Sequence, residues 1–173
     1  MIPIVICGDK SDDCISKLIK RILSIYEFNG VCELIEDENI PNIDMDHNGI
    51  VVFKNSFKVN KKKVYFKNFI SIFESQNTKV KDMLRLEKNK VISCGMSLKD
   101  TLSISSLDFS SAMVSLQREI INLSLTKIEP HEFKISFDNN IGPYPLLASV
   151  AVLLLIDTPK YKKYNFSSKN YHL

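Results

Sequence analysis

The sequence predicts an α/β fold with a mainly parallel sheet, flanking helices and an antiparallel β module towards the C-terminal half. Two observations indicate this class. Short apolar runs rich in β-branched residues alternate with amphipathic segments through the first hundred residues, as in βαβ units. Between residues 100 and 137, apolar and polar residues alternate with a period of two, which is typical of antiparallel strands with one wet face.

The chain begins with a predicted strand and helix. Residues 2–7, IPIVIC, form a continuous apolar run that ends at Gly8, which favours a strand buried on both faces. Apolar residues then recur at helical spacing over residues 12–28 and predict an amphipathic helix. Asp12 or Asp13 suits the N-cap of this helix.

The middle of the chain predicts further short elements. Residues 31–35 and 49–53 are predicted strands, and residues 62–73, KKVYFKNFISIF, are interpreted as a strand followed by a helix. A short helix is predicted within residues 78–89 and another buried strand at 90–95. We expect residues 2–7, 50–53 and 90–94 to be neighbouring strands of one sheet that carries the first helix.

The strongest apolar run, LLASVAVLLLI at residues 146–156, is predicted to be a core helix. It has about half of the roughly 20 residues that a bilayer span needs, so we expect no membrane insertion. One domain is predicted over residues 1–158, followed by a basic and aromatic tail at residues 159–173.

Composition restricts the classes of function. The 23 basic and 20 acidic residues give a formal charge of +3, too weak a bias to demand a nucleic acid partner. The four cysteines have no CxxC spacing, which favours free thiols in a reducing compartment over a zinc site or disulfides. The first residues have no basic n-region or cleavage site, so a cytoplasmic location is expected.

Three further patterns have two interpretations each. The stretch DMDH at residues 44–47 could hold a divalent cation, but it also suits a solvated turn. His131 could act as a general base or stand at a strand edge. Basic and aromatic residues alternate at 58–69 and 160–173, which suits either base stacking or protection of an exposed strand edge. The ordinary structural interpretation is preferred for each, so no catalytic or metal-binding residue is predicted.

The turn after the first strand has part of a phosphate-binding pattern. Gly8, Lys10 and Ser11 supply the glycine, cation and hydroxyl that a nucleotide site uses. Three carboxylates, on Asp9, Asp12 and Asp13, share the turn and oppose the binding of an anion. Gly8, Lys10 and Ser11 are therefore predicted to be a vestigial cofactor site that binds no cofactor.

Two segments resemble the central, ATP-binding domain of the Mur ligases, the enzymes of peptidoglycan precursors. The strand NKVISCG resembles the family's strand that ends in ITFG, and the region after it resembles the family's β-hairpin region. The apolar helix that follows resembles the family's GxHNxxNxLAAxAxAxxLG helix. Residues 7–23 align without a gap to the family's TGTNGKTTTTxLIxxIL loop and helix, with Gly8 at the first glycine. In this register Ser11 replaces the second glycine, Asp12 the catalytic lysine and Asp13 the magnesium-binding threonine.

The resemblance implies a shortened central domain without ligase chemistry. Ile141 and Gly142 stand where the family has its His-Asn pair, so this second motif also departs from the pattern. We expect a non-catalytic binding, scaffold or regulatory module linked to cell-wall precursors, with a protein partner or a second copy of the chain. The alternative is a small ATP-binding, ligase-like enzyme with a variant loop.

Two surfaces are predicted to make that association. One lies in the antiparallel module and the other in the aromatic tail. The residues concerned are Phe109, Met113, Val114 and Leu116 in the module, and Tyr161, Tyr164 and Phe166 in the tail. The alternative is that the tail folds back over the module and leaves a monomer.

Overall fold

The computed structural model describes residues 1–40, 48–60, 68–85, 89–138, 140–156 and 163–167. Within these ranges the chain forms eleven strands and three helices in the following order. They are β1 (Ile2–Cys7), α1 (Cys14–Ile25), β2 (Cys32–Asp37), β3 (Gly49–Phe53), β4 (Phe69–Glu74), α2 (Thr78–Arg85), β5 (Lys90–Gly95), β6 (Leu102–Leu107), β7 (Ser111–Leu116), β8 (Ile120–Ile121), β9 (Lys127–Ile128), β10 (His131–Ser136), α3 (Pro143–Ile156) and β11 (Lys163–Asn165).

Nine of these strands form one sheet in the order β11-β10-β7-β6-β5-β4-β3-β1-β2. Strands β1 to β6 pair in parallel, whereas β7 is antiparallel to both β6 and β10. Strands β8 and β9 form a separate antiparallel hairpin. The predicted α/β class, with a mainly parallel sheet and an antiparallel module, is confirmed, and β6, β7 and β10 of that module continue the parallel sheet.

The alternation of side chains along β1 explains why its sequence is apolar throughout. Ile4 and Ile6 belong to the core that packs with α1 and α3, whereas Val5 and Cys7 belong to the core that packs with α2. All four residues are fully buried. Both faces of the strand therefore lie against helices, as the continuous apolar run predicts.

The two long helices follow the predicted segments with small differences. Helix α1 begins at Cys14, after Asp13 as its N-cap residue, but the Asp13 side chain makes no capping hydrogen bond. Its carboxylate instead pairs with Lys17 at 2.6 Å, one helical turn further along. Helix α3 is apolar on every side, and its residues from 146 to 156 are all buried, as predicted for a core helix.

The prediction of a helix at the end of residues 62–73 is wrong, because residues 69–74 form β4. This strand lies between β3 and β5, so residues 50–53 and 90–94 share the sheet without being neighbours. Gly49 faces the Phe69 ring across the β3–β4 pair, where an added Cβ would lie 2.3 Å from a ring atom. Packing of this aromatic strand into the sheet, rather than local periodicity, decides its structure.

Part of the predicted tail packs with the sheet. Strand β11 pairs in parallel with β10, and the Phe166 N–H donates to the Ser136 carbonyl at 2.7 Å. Tyr164 and Phe166 are buried, so the predicted association surface does not include them, and Tyr161 lies outside the described residues. The Tyr164 ring packs edge to face with Phe133 at 5.4 Å between centroids.

Candidate functional site

The order of strands places a reversal at β1. The chain passes from β1 to β2 on one side and then returns to β3 on the other side. Ligands of open α/β sheets bind beside the carboxyl ends of the strands at such a reversal. The loop at residues 8–13 follows β1 and the loop at residues 54–60 follows β3, so these two loops form the candidate site. Gly8, Lys10 and Ser11 all lie in the first loop.

Most backbone amides of the loop at residues 8–13 donate hydrogen bonds within the chain. A phosphate cradle needs such amides to point at the anion. Here four of them donate to other groups of the protein. The Gly8 N–H donates to the Asp37 carbonyl at 2.9 Å, and the Asp9 N–H donates to Ser56 Oγ at 3.1 Å. The other two bonds go to Asp9 itself: the Ser11 N–H donates to Asp9 Oδ1 at 2.9 Å, and the Asp12 N–H donates to the Asp9 carbonyl at 3.2 Å.

The hydroxyl of the predicted site is also engaged. Ser11 Oγ donates to Asp9 Oδ1 at 2.8 Å, beside the bond from its own N–H to the same oxygen. These two hydrogen bonds lower the pKa of Asp9, because both stabilise its carboxylate form. Lys10 is exposed at the turn. The loop is therefore organised around a carboxylate of its own.

Gly8 has a structural reason for being glycine. Its φ is +141°, a conformation that L side chains rarely adopt. A Cβ at this position would lie 2.7 Å from Lys54 Cβ and 3.0 Å from Ser56 Oγ. The close approach that glycine permits here is to the loop after β3.

Lys54 joins the two loops of the candidate site. Its side chain is fully buried, and its Nζ donates to the Asp9 carbonyl at 2.9 Å. Nζ also lies 3.6 Å from Glu36 Oε2, and the other oxygen of that carboxylate accepts from Lys20 at 3.0 Å. The chain thus places its own ammonium group at the carboxyl end of β3.

Glu36 is held in its charged form by this arrangement. Burial acts to raise the pKa of Glu36, but hydrogen bonds from Lys20 and Ser16 and the charge of Lys54 hold it below its ordinary value. Sequence reasoning missed Lys54 and Glu36. The signal in the sequence was a lysine directly after the fully apolar strand GIVVF. In the structure the Lys54 N–H donates to the Cys7 carbonyl, so the backbone pairing between β3 and β1 continues to this residue.

Ser56 joins the two loops to each other, and Tyr144 joins α3 to the end of β3. Ser56 Oγ donates to Asp12 Oδ2 at 3.3 Å while accepting from the Asp9 N–H. At the start of α3, the buried Tyr144 hydroxyl donates to the Phe53 carbonyl. Burial raises the pKa of Tyr144 well above its ordinary value, so the phenol remains a donor.

The space left at the candidate site is small and polar. Its volume is about 190 Å³, below the roughly 300–1,000 Å³ of typical ligand pockets. Its lining is entirely polar and consists of Asp9, Glu38, Asn39, Ser56, Lys58 and Asn60. Within the described ranges, no group of three or more His, Cys, Asp or Glu residues is placed to hold a metal ion.

The other sequence candidates do not join this site. His131 begins β10, and its Nδ1 lies 2.7 Å from the Glu129 carbonyl, which only accepts hydrogen bonds, so Nδ1 carries the proton. Residues 44–47 lie outside the described residues. The four cysteines are free, and burial raises the pKa of Cys7 to about 12 and of Cys32 to about 11.

The predicted association surface of the antiparallel module is only partly exposed. Phe109, in the turn between β6 and β7, is 87% exposed. Met113 is half-buried, and Val114 and Leu116 are buried in the sheet, so the last two do not contribute. Met96 and Leu98, in the loop after β5, are exposed on the same carboxyl edge.

Comparison with known proteins leaves the family undecided. No model of a known protein family matches the sequence, and no curated protein matches it. Among the helices of the described segments, none has the length and apolar character to cross a membrane.

Proposed function

We propose that the chain is a non-catalytic, Mur-ligase-like module that acts in cell-wall precursor metabolism by binding a protein partner or a second copy of itself. One observation carries the non-catalytic part of this proposal. Four backbone amides of the loop at residues 8–13, together with the Ser11 hydroxyl, are hydrogen-bonded within the protein. The Mur-ligase part rests on the sequence resemblance.

Nucleotide binding would have to open this loop. Each internal hydrogen bond contributes about 1 kcal/mol, so releasing four costs several kcal/mol before any contact with phosphate forms. The anion would also approach the carboxylates of Asp9, Asp12 and Asp13, which oppose it electrostatically. Lys54 offers little compensation, because its Nζ already donates to Asp9 and lies near Glu36.

The exposed apolar residues on the carboxyl edge support the binding role. Met96, Leu98, Leu107 and Phe109 follow β5 or flank the β6–β7 turn, and we call them the hairpin-edge surface. Leu98 and Phe109 are 80% and 87% exposed, so a partner that covers these side chains would remove apolar surface from water.

Calorimetric titration with ATP, with and without magnesium, tests the non-catalytic proposal. We expect no binding at sub-millimolar ATP. Micromolar affinity would overturn the proposal and favour the alternative, a small ATP-binding ligase-like enzyme with a variant loop.

Light scattering across a dilution series tests association with a second copy. We expect the average mass to rise with concentration and Phe109→Ser to reduce that rise. Ile121→Ser is the matched control, because Ile121 is an exposed apolar residue on β8, away from the carboxyl edge. A monomeric mass at high concentration would contradict self-association, and equal effects of both variants would contradict the hairpin-edge surface.

A further inference from the structure

Strand β2 is the edge strand on one side of the nine-stranded sheet. Within the described residues it pairs with β1 alone, in a parallel register that runs without a shift from Ile2 and Cys32 to Cys7 and Asp37. It has six residues, CELIED, whereas β11 at the other edge has three. Short strands, prolines and lysines are among the features that keep a sheet edge from pairing with another chain. Strand β2 has none of these three features.

The hydrogen bonds at the two ends of β2 show which of its backbone groups face β1. The Ile2 N–H donates to the Val31 carbonyl at 2.7 Å, and the Gly8 N–H donates to the Asp37 carbonyl at 2.9 Å. Alternate residues of a strand direct their N–H and carbonyl groups to the same side. The odd-numbered residues of β2 therefore bond to β1, and the even-numbered residues direct their backbone groups away from the sheet.

Two of the outward amides of β2 are open. The Cys32 N–H donates to the Phe28 carbonyl at 2.9 Å, so the first outward amide is used. The N–H groups of Leu34 and Glu36 have no hydrogen-bond partner among the described residues. An extended segment laid along β2 would supply the carbonyls that these two donors need.

The side chains beside the open edge are apolar and acidic. Leu34 and Ile35 are half-buried, one on each face of the sheet, so an added strand would remove more of both from water. Glu33 and Asp37 share the face of Ile35, and no ion pair joins either carboxylate to a described residue. Asp37 Oδ1 accepts from the Asn39 N–H at 2.9 Å. This face of the edge therefore carries two negative charges that no described cation neutralises.

Charge selects the kind of strand that fits this edge. Opposite charges in facing positions of a strand pair are favourable, so basic side chains at alternate positions of an added strand suit Glu33 and Asp37. A second copy of β2 would bring the same carboxylates to the edge, and facing like charges are destabilising. On the other face, Glu36 already accepts from Lys20 at 3.0 Å. The edge therefore suits a basic strand and not a second β2.

We propose that the edge of β2 binds an extended basic segment of a partner protein by strand addition. The backbone of that segment pairs with Leu34 and Glu36, and its alternate basic side chains lie beside Glu33 and Asp37. This edge is separate from the hairpin-edge surface and does not depend on the Mur-ligase resemblance, so either surface can fail without the other.

Titration of the full ¹⁵N-labelled chain with a capped KVKVKV peptide, followed by NMR, tests strand addition. We expect saturable shifts of the Leu34 and Glu36 amides, and hydrogen exchange of both slowed roughly tenfold at saturation, because each then donates to the peptide. Exchange of the Ile35 amide, which faces β1, should not change. A KPKPKP peptide has the same charge but lacks half of the N–H donors, so it should not slow exchange. Shifts that fail to saturate, or equal effects of the two peptides, would overturn strand addition.

A pair of charge reversals tests the preference for a basic segment. Glu33→Lys should weaken KVKVKV about fivefold, since one exposed ion pair is worth up to about that factor. Asp82→Lys makes the same change of net charge at an exposed residue of α2 and should change the affinity by less than about twofold. An EVEVEV peptide should bind more weakly than KVKVKV. Equal losses in both variants, or equal affinities for these two peptides, would overturn the preference.

A third variant, Leu34→Pro, tests the open edge itself. Proline removes the outward N–H of residue 34 and is tolerated on an edge strand where that N–H faces solvent, so the pairing with β1 should persist. We expect KVKVKV to bind roughly tenfold more weakly, because a backbone hydrogen bond is lost. Unchanged affinity in Leu34→Pro would overturn the site. If this variant does not fold, the comparison of KVKVKV with KPKPKP on the unmodified chain decides.

Discussion

Gly8 is held in a backbone conformation that a side chain would strain, directly against the loop after β3. Its φ is +141°, and a Cβ added there would lie only 2.7 Å from Lys54 Cβ, so strain and a clash would act together. The sequence signal at Gly8 is that of a phosphate loop, whereas the contact it permits is with a buried lysine. A motif glycine and a packing glycine cannot be told apart from the sequence alone.

We expect Gly8→Ala to lower the free energy of unfolding by about 3 kcal/mol, because it adds backbone strain and a clash at once. Gly30→Ala is the control, since nothing lies within 4 Å of a Cβ there. It should change stability by less than about 1 kcal/mol. Urea denaturation measures both, and similar losses in the two variants would contradict this explanation.

The Asp9 carboxylate makes the stability of the loop at residues 8–13 depend on pH. Its pKa in the folded protein lies below the ordinary 3.8, because the Ser11 N–H and hydroxyl stabilise the charged form. A lowered folded-state pKa contributes stability that is present above the unfolded value and is lost as the pH falls through the folded value. The loop at residues 8–13 should therefore lose stability below a pH of about 4.

Carboxyl ¹³C titration of Asp9 checks this directly. We expect a pKa below 3.8 in the wild type and a higher value in Ser11→Ala, which keeps the N–H donor but removes the hydroxyl. Ser105→Ala, at an exposed serine on β6, is the control and should leave Asp9 unchanged. An Asp9 pKa that does not respond to Ser11→Ala would show that the hydroxyl does not stabilise the carboxylate.

At the scale of elements, α3 combines an apolar surface with one buried hydroxyl. Ser149 is fully buried, and its Oγ has no hydrogen-bond partner among the described residues. Burying a hydroxyl without a partner costs free energy, and alanine is also the better helix former. The buried Ser149 hydroxyl therefore destabilises the protein, and its removal should be favourable.

We expect Ser149→Ala to raise the free energy of unfolding by about 1 kcal/mol. Ala151→Ser is the reverse change at another fully buried position of α3 and should lower stability by a similar amount. Thermal and urea unfolding measure both variants. A loss of stability in Ser149→Ala would mean that the hydroxyl is satisfied in solution.

Strand β4 shows where local patterns fail at this scale. Residues 69–74, FISIFE, suit a helix or a strand when they are considered alone, and the sequence interpretation favoured the helix. Pairing on both sides, with β3 and β5, supplies backbone partners that a helix at this place would not have. The longer α1 and α3 were predicted correctly because their patterns extend over several turns.

At the scale of the whole molecule, the C-terminal segment completes the core. Phe166 is fully buried, and the Asn165 N–H donates to the Tyr26 hydroxyl at 3.1 Å, which joins β11 to the end of α1. Residues this far apart in sequence meet only when the sheet is formed. The burial of Tyr164 and Phe166 argues against these two residues as a surface for association.

We expect Phe166→Ala to lower the free energy of unfolding by about 4 kcal/mol, the usual cost of removing a buried aromatic ring. Phe109→Ala makes the same substitution at a position that is 87% exposed, and it should change stability by less than about 0.5 kcal/mol. Chemical denaturation compares the two. A small loss in Phe166→Ala would mean that the segment is not packed in solution.

The sequence by itself determined the fold class, most strands and the three helices. Those features depend on periodicity, which the chain carries locally. Tertiary structure alone decided the position of β4, the burial of Tyr164 and Phe166, and the role of Lys54 beside Asp9. Each of these depends on contacts between distant segments, because burial and pairing are fixed only when the strands assemble.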